Sequence, residues 1–202
     1  MHRMEYGGRL ELRYVMALLV RDVADFMTPR ERAMEPEDGI RAYCKRLARI
    51  YKEEEPIGGL PIHMEGFCLF DREHRSSKPL SLAYKAAQLA DPEKADDFLT
   101  ALRHATVLDC RPTTQLDEIL RDVRKTGIEE DVFLRHYQDG SAEKQLEKDM
   151  ALASKLGTQV ISTPIWTAIG RVTVFFHPVE IRKKMLYNTC ATGCGCFSRD
   201  GP

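Results

Sequence analysis

Hydrophobic and polar positions alternate near the start of the chain. Leu10, Leu12, Tyr14 and Met16 stand at every second position, and a more apolar run follows as far as Val20. A period of two is typical of a strand with one buried face. The pattern therefore predicts a strand over residues 9–18.

The period changes to three and four residues in the middle of the chain, which predicts a block of helices. In the first of them, Ile40, Tyr43, Cys44, Leu47 and Tyr51 share one apolar face. Six helices are predicted. The first three run from Pro36 to Pro56, from Pro79 to Ala90, and from a cap at Asp91, ahead of Pro92, to Ala105. The other three run from a cap at Thr113 or Thr114 to Gly127, around Phe133–Tyr137, and from Ala142 to Gly157. Residues 56–78 are rich in glycine and proline and predict a long irregular connection, a kind of segment that often carries function.

After Gly157 the apolar positions fall in short β-branched runs. Residues 158–162 and 171–176 are predicted strands. Pro164 interrupts the first, because proline cannot donate a hydrogen bond within a sheet. Pro178 begins a final short helix. The predicted order is therefore strand, helical block, two strands and helix.

Composition indicates one globular domain and narrows the classes of partner. The chain has 202 residues, is 43% hydrophobic, and carries 30 basic against 31 acidic side chains, a net charge of -1. That balance argues against nucleic acid and anionic membranes as partners. No apolar run is long enough for a membrane helix, and no secretory segment opens the chain, so we expect a cytoplasmic protein. Residues 91–150 are acidic overall, which is typical of solvated helix faces, and the alternative is a surface for a protein partner.

The familiar catalytic and metal motifs are missing from the sequence. There is no glycine-rich phosphate loop, no G-x-S-x-G and no H-E-x-x-H, so no cofactor and no metal site is predicted. Cys44, Cys68 and Cys110 are scattered, which favours a structural or incidental role for each of them. The three tail cysteines could bind a soft metal or form a redox pair, although an accidental cluster at a terminus is the simpler interpretation. They are Cys190, Cys194 and Cys196.

Several short segments occur in an order that resembles the DsbA family of thioredoxin-fold proteins. They are Gly59-Leu60-Pro61-Ile62, the run from Ser76 to Ala87, the helical block and Thr163-Pro164-Ile165-Trp166. The likeness is greatest to the cytoplasmic branch that includes FrnE-like oxidoreductases and YjbH/SpxH-type protease adaptors. It implies an α/β thioredoxin-like fold with an all-helical insertion.

The resemblance also implies a division of the chain and a binding site. Residues 1–30 and 158–187 would form the two parts of the thioredoxin-like domain, 31–157 the helical insertion with its connecting loop, and 188–202 a flexible tail. Thr163, Pro164 and Ile165 would form the cis-proline loop, which pairs with an extended protein or peptide thiol substrate. These three residues are the predicted substrate-binding site.

The chain departs from this family at its start. Family members begin with a strand and a C-x-x-C motif, whereas this chain begins within the following helix at Met4-Glu5-Tyr6-Gly7-Gly8, so no catalytic residue is predicted. The missing strand would lie between residues 9–18 and the strand near Val160, and its absence would leave edges open to self-association. We therefore expect an N-terminally shortened thiol-disulfide oxidoreductase of doubtful activity. The alternatives are a non-catalytic adaptor that holds a client protein for regulated proteolysis, and a glutathione-dependent isomerase that uses a serine.

Overall fold

A computed structural model gives the fold and describes residues 11–16, 18, 20–58, 63, 65–155, 164–166 and 171–176. The described strands are β1 (Glu11–Met16), β2 (Pro164–Trp166) and β3 (Arg171–Phe176). The described helices are α1 (Pro29–Arg32), α2 (Pro36–Gly58), α3 (Lys78–Ala90), α4 (Ala95–Val107), α5 (Leu116–Thr126), α6 (Glu130–Gln138) and α7 (Ser141–Lys155). A single 3-10 turn, Val23–Asp25, precedes α1.

The three described strands form one mixed sheet with β3 in the centre. β3 runs parallel to β1, with Met16 opposite Phe176, and antiparallel to β2, with Pro164 opposite Val174. The family resemblance placed a strand from outside the chain beside residues 9–18. In the structure β3 lies between β1 and β2, and the strand predicted near Val160, the other neighbour of that missing strand, lies outside the described residues.

Seven described helices separate β1 from β2, and α3 is at the centre of their core. Small side chains line α3, as the sequence pattern predicted, and they let it pack against α4, α6 and α7. Leu80 and Tyr84 are fully buried on α3, and Phe98 and Phe133 pack against each other nearby, with ring centroids 5.9 Å apart. Burying one large apolar side chain contributes about 1.5–3 kcal/mol to the free energy of unfolding, so this cluster supplies much of the stability of the helical block.

A buried ion pair joins the sheet to the helices. Lys85 of α3 and Asp149 of α7 are 4% and 2% exposed and form a salt bridge. The backbone N–H of Met16, at the end of β1, donates to Asp149 Oδ2 over 2.8 Å. A single carboxylate therefore fixes the relative positions of β1, α3 and α7.

Most predicted elements are confirmed, and two helix starts were wrong. The N-cap of α5 is Gln115, because the buried Thr114 instead donates to the Leu69 carbonyl oxygen over 2.6 Å. α4 begins at Ala95, since Asp91 closes a turn by accepting the Lys94 N–H. Pro164 is the first residue of β2.

Of the remaining predictions, one helix end is confirmed and three fall on residues that the structure does not describe. Gly127 ends α5 in the left-handed conformation, with φ 70°, as predicted. Residues 158–162, the helix predicted at Pro178 and the tail cysteines lie outside the described residues.

Candidate functional site

A cavity opens between α2, the connection at residues 68–74, which we call the pocket segment, and Gln115 just ahead of α5. It has a volume of about 790 Å³, within the range of pockets that hold small molecules. Its lining combines one thiol with acidic, basic and amide side chains. The lining residues are Glu37, Ile40, Arg41, Cys68, Phe70, Asp71, Arg72, Glu73, His74 and Gln115.

Asp71 organises the floor of this pocket. Its carboxylate accepts the backbone N–H groups of Glu73 and His74 at 2.8 and 2.7 Å, lies 2.9 Å from Nδ1 of His74, and accepts the Gln115 amide at 3.0 Å. Burial raises the pKa of Asp71, but these hydrogen bonds outweigh burial and lower it to about 2. The carboxylate thus stays ionised and keeps the pocket segment folded back on itself.

Two cysteines that are far apart in sequence meet at the base of this pocket. Cys44 lies in the middle of α2 and is 1% exposed, whereas Cys68 is half-buried and lines the cavity. Both sulfurs lie against the carbonyl oxygen of Phe70, at 3.7 Å for Cys44 and 3.2 Å for Cys68. The two thiols are near enough to change each other's pKa. The arrangement is one reachable sulfur beside one enclosed sulfur.

The surroundings shift the pKa values of these two thiols in opposite directions. The hydrogen bond from Cys44 lowers the pKa of Cys68 to about 7, against the opposing effect of burial, and the positive charge of Arg41 acts in the same direction as the hydrogen bond. The same hydrogen bond, followed by burial, raises the pKa of Cys44 well above its ordinary value. Cys68 therefore ionises first, and it is the sulfur that a molecule in the pocket can reach.

Cys110 provides a useful comparison within the same chain. It is half-buried beyond the end of α4, and burial, followed by the negative charge of Asp109, raises its pKa. Its sulfur lies 3.6 Å from the carbonyl oxygen of His63. Cys110 is partly accessible, as Cys68 is, but its surroundings disfavour the thiolate.

The substrate-binding site predicted from the sequence falls only partly within the described residues. Pro164 and Ile165 lie on β2, at an edge of the described sheet, whereas Thr163 lies outside the description. Their role in substrate binding stays a prediction. Sequence reasoning treated Cys44 and Cys68 as separate residues, because no spacing in the sequence shows that α2 and the connection meet. The signal that was available is the long irregular connection itself, which contains Cys68.

Within the described part of the chain, neither a cluster of metal ligands nor a membrane-spanning helix is found. No group of three or more metal-ligating side chains is brought together there. None of the described helices combines the length and the apolar character needed to cross a bilayer.

Comparisons with known proteins relate the whole arrangement to one family. A sequence model of the family described as Thioredoxin matches residues 2–168. A crystal structure from Nitrosomonas europaea, provisionally described as that of a protein disulfide isomerase, is similar with a TM-score of 0.56 and 18% identity, over 77% of this chain and 68% of the other. At this identity the likeness concerns the fold alone. No curated protein gives a significant match.

Proposed function

The chain belongs to the thioredoxin family, and we propose that it carries out thiol–disulfide exchange with Cys68 as the reacting sulfur. The observation that carries the proposal is the position of Cys68, which lines an open cavity with its sulfur against the Phe70 carbonyl oxygen. Exchange requires a thiolate that a disulfide can approach in line. Among the described cysteines, Cys68 meets both conditions, because Cys44 is enclosed and the pKa of Cys110 is raised.

We place the chain in the DsbA-like part of the family, with α1–α7 as the helical insertion. An extended cysteine-containing segment would then pair beside Thr163, Pro164 and Ile165, since an edge strand presents free backbone groups to an added strand. The cytoplasmic FrnE-like and YjbH/SpxH-like branches remain the expected place within it. We also expect a cytoplasmic location and protein or peptide thiols as substrates.

The experiment compares two cysteines in the reduced full chain. The chain is treated with 2-hydroxyethyl disulfide at pH 7 and quenched with acid at intervals. Trypsin digestion then separates Cys68, in the peptide of residues 53–72, from Cys110, in the peptide of residues 104–121. We expect Cys68 to form a mixed disulfide at least about fivefold faster than Cys110, because its larger thiolate fraction outweighs the lower nucleophilicity of a more acidic sulfur.

Two variants act as controls for this rate. Cys68→Ser removes the fast phase, and Cys110→Ser leaves it unchanged. Equal rates at Cys68 and Cys110 in the native chain would contradict the proposal. So would a fast phase that survives in Cys68→Ser, because it would assign the reactivity to a tail cysteine.

The adaptor function is a second proposal, and it rests on the acidic surface of residues 91–150. Part of that charge is already neutralised within the chain, since Glu118 pairs with Arg111 and Arg121, and Glu130 pairs with Arg124. Asp97, Asp117 and Asp131 are exposed, with other acidic side chains on the same helices. Client binding that is abolished by reversing these three charges and unchanged in Cys68→Ser would favour the adaptor over exchange.

A further inference from the structure

We infer that Cys44 is the second sulfur of this site and resolves the mixed disulfide formed on Cys68, leaving a Cys44–Cys68 disulfide. The pair would let the chain donate two electrons from its thiols to a disulfide without a C-x-x-C motif. This inference rests on the proposed reactivity of Cys68 but adds a separate claim about which sulfur reacts next.

The contacts of Cys44 favour this role. Its side chain is enclosed between α2 and the pocket segment, at 1% exposure, so no disulfide from solvent can reach it directly. Its sulfur lies near the Cys68 sulfur, since both lie against the Phe70 carbonyl oxygen, at 3.7 and 3.2 Å. A thiol that is shielded from solvent and adjacent to a reactive sulfur can attack that sulfur and little else.

The local structure also indicates which side moves when the bond forms. A disulfide bond brings two sulfurs to about 2.0 Å, closer than a hydrogen bond between thiols. Cys44 is fixed within a helix of 23 residues, and the neighbouring Tyr43 packs on Phe70 with ring centroids 6.0 Å apart. Cys68 lies in an extended connection with no helix around it. When the disulfide bond forms, Cys68 therefore moves toward Cys44, and the connection beside the turn at Asp71 changes its conformation.

The reaction is balanced with a disulfide RSSR as the oxidant. The Cys68 thiolate attacks one sulfur of RSSR, which forms Cys68–S–SR and releases the first RS⁻. Cys44 then loses its proton to that thiolate or to water in the pocket and attacks the Cys68 sulfur. The Cys44–Cys68 bond forms, the Cys68–SR bond breaks, and the second thiol leaves. In total, two protein thiols are oxidised and RSSR is reduced to two RSH.

The test traps the intermediate in the full chain. The reduced native chain is treated with 2-hydroxyethyl disulfide, quenched with acid and digested without reduction. We expect the tryptic peptide of residues 42–45 to be linked to that of residues 53–72. In Cys44→Ser, which keeps a hydroxyl donor beside Cys68 but has no second sulfur, we expect the Cys68 mixed disulfide to persist at least about tenfold longer. Cys110→Ser is the matched control and should resolve at the native rate.

The possible outcomes separate this inference from the proposed function. If Cys68 forms a mixed disulfide that persists equally in the native chain and in Cys44→Ser, the inference is overturned and exchange at Cys68 stands. Cys68 linked to a tail cysteine in the native chain would also overturn the inference. If no mixed disulfide forms on Cys68, the proposed function itself fails. Peptide mapping of the native chain decides between these outcomes even if Cys44→Ser does not fold.

Discussion

Replacing Cys44 with alanine should change the acidity of Cys68 while leaving Cys68 in place. The hydrogen bond from Cys44 is the largest influence that lowers the pKa of Cys68 to about 7, and burial acts against it. Without that donor, we expect the pKa of Cys68 to return to at least its ordinary value of 9.0. Cys44→Ser keeps a donor and should remain closer to the native chain.

The magnitude follows from the thiolate fraction and from nucleophilicity. A thiol with a pKa of about 7 is about half ionised at pH 7, whereas one at 9.0 is about 1% ionised. This fiftyfold loss of thiolate is partly offset, because the more basic sulfur is about eightfold more nucleophilic. Reaction of Cys68 in Cys44→Ala should therefore be about sixfold slower than in the native chain at pH 7 and about sevenfold faster at pH 10.

The assay is alkylation of Cys68 by iodoacetamide between pH 5 and pH 10, followed by peptide mass spectrometry, with Cys110 as the internal reference. A structural defect alone would raise or lower the rate at every pH. The reasoning requires the two pH profiles to cross. Parallel profiles with a common midpoint near pH 7 would refute the assigned role of the Cys44 hydrogen bond.

Three other substitutions test the fold around the site. Asp149→Asn should destabilise the chain by about 3 kcal/mol in urea unfolding, because it leaves the buried Lys85 without its counter-charge. Lys85→Met combined with Asp149→Asn should recover most of that loss, since the amide oxygen of the introduced asparagine can still accept the Met16 N–H. The Glu31 carboxylate accepts two hydrogen bonds from Arg46 at 2.9 Å, the foremost cause of its pKa of about 2. We therefore expect Glu31→Gln to lower the free energy of unfolding by about 1–3 kcal/mol at pH 7. This loss should shrink as the pH falls below 4.5 and disappear near pH 2, and a loss that is independent of pH would contradict this. Gly39→Ala would place a Cβ 2.3 Å from the Glu31 carbonyl oxygen, so we expect a loss of about 1–3 kcal/mol by thermal unfolding, and an unchanged melting temperature would exclude the close contact of α1 with α2.

Helices that present one continuous apolar face were predictable from the sequence. The repeat through Ile40 and Tyr51 gave α2, and the stop at Gly127 was correct, because both depend on residues close together in sequence. The starts of α4 and α5 were wrong because capping is a competition between nearby acceptors. Thr114 had a stronger partner in the carbonyl oxygen of Leu69, which no local pattern reveals.

The site was harder to predict than the helices, for a related reason. The sequence indicated that the connection at residues 56–78 is functional and that Cys44 is buried on α2. It could not indicate that Cys44 and Cys68 share the Phe70 carbonyl oxygen, since this depends on how the connection folds back onto the helix. The family resemblance directed attention to a C-x-x-C motif, which placed these two thiols among the incidental cysteines.

The central place of β3 has a consequence for how the chain folds. β1 and β3 lie side by side, yet all seven described helices are between them in sequence. Closing so long a loop carries a large entropic cost, and contacts of high sequence separation form late. During synthesis the helices emerge before β3 does, so their contacts with one another can form first. We therefore expect β1 to wait, docked on α7 through Asp149, until β3 joins it and completes the sheet.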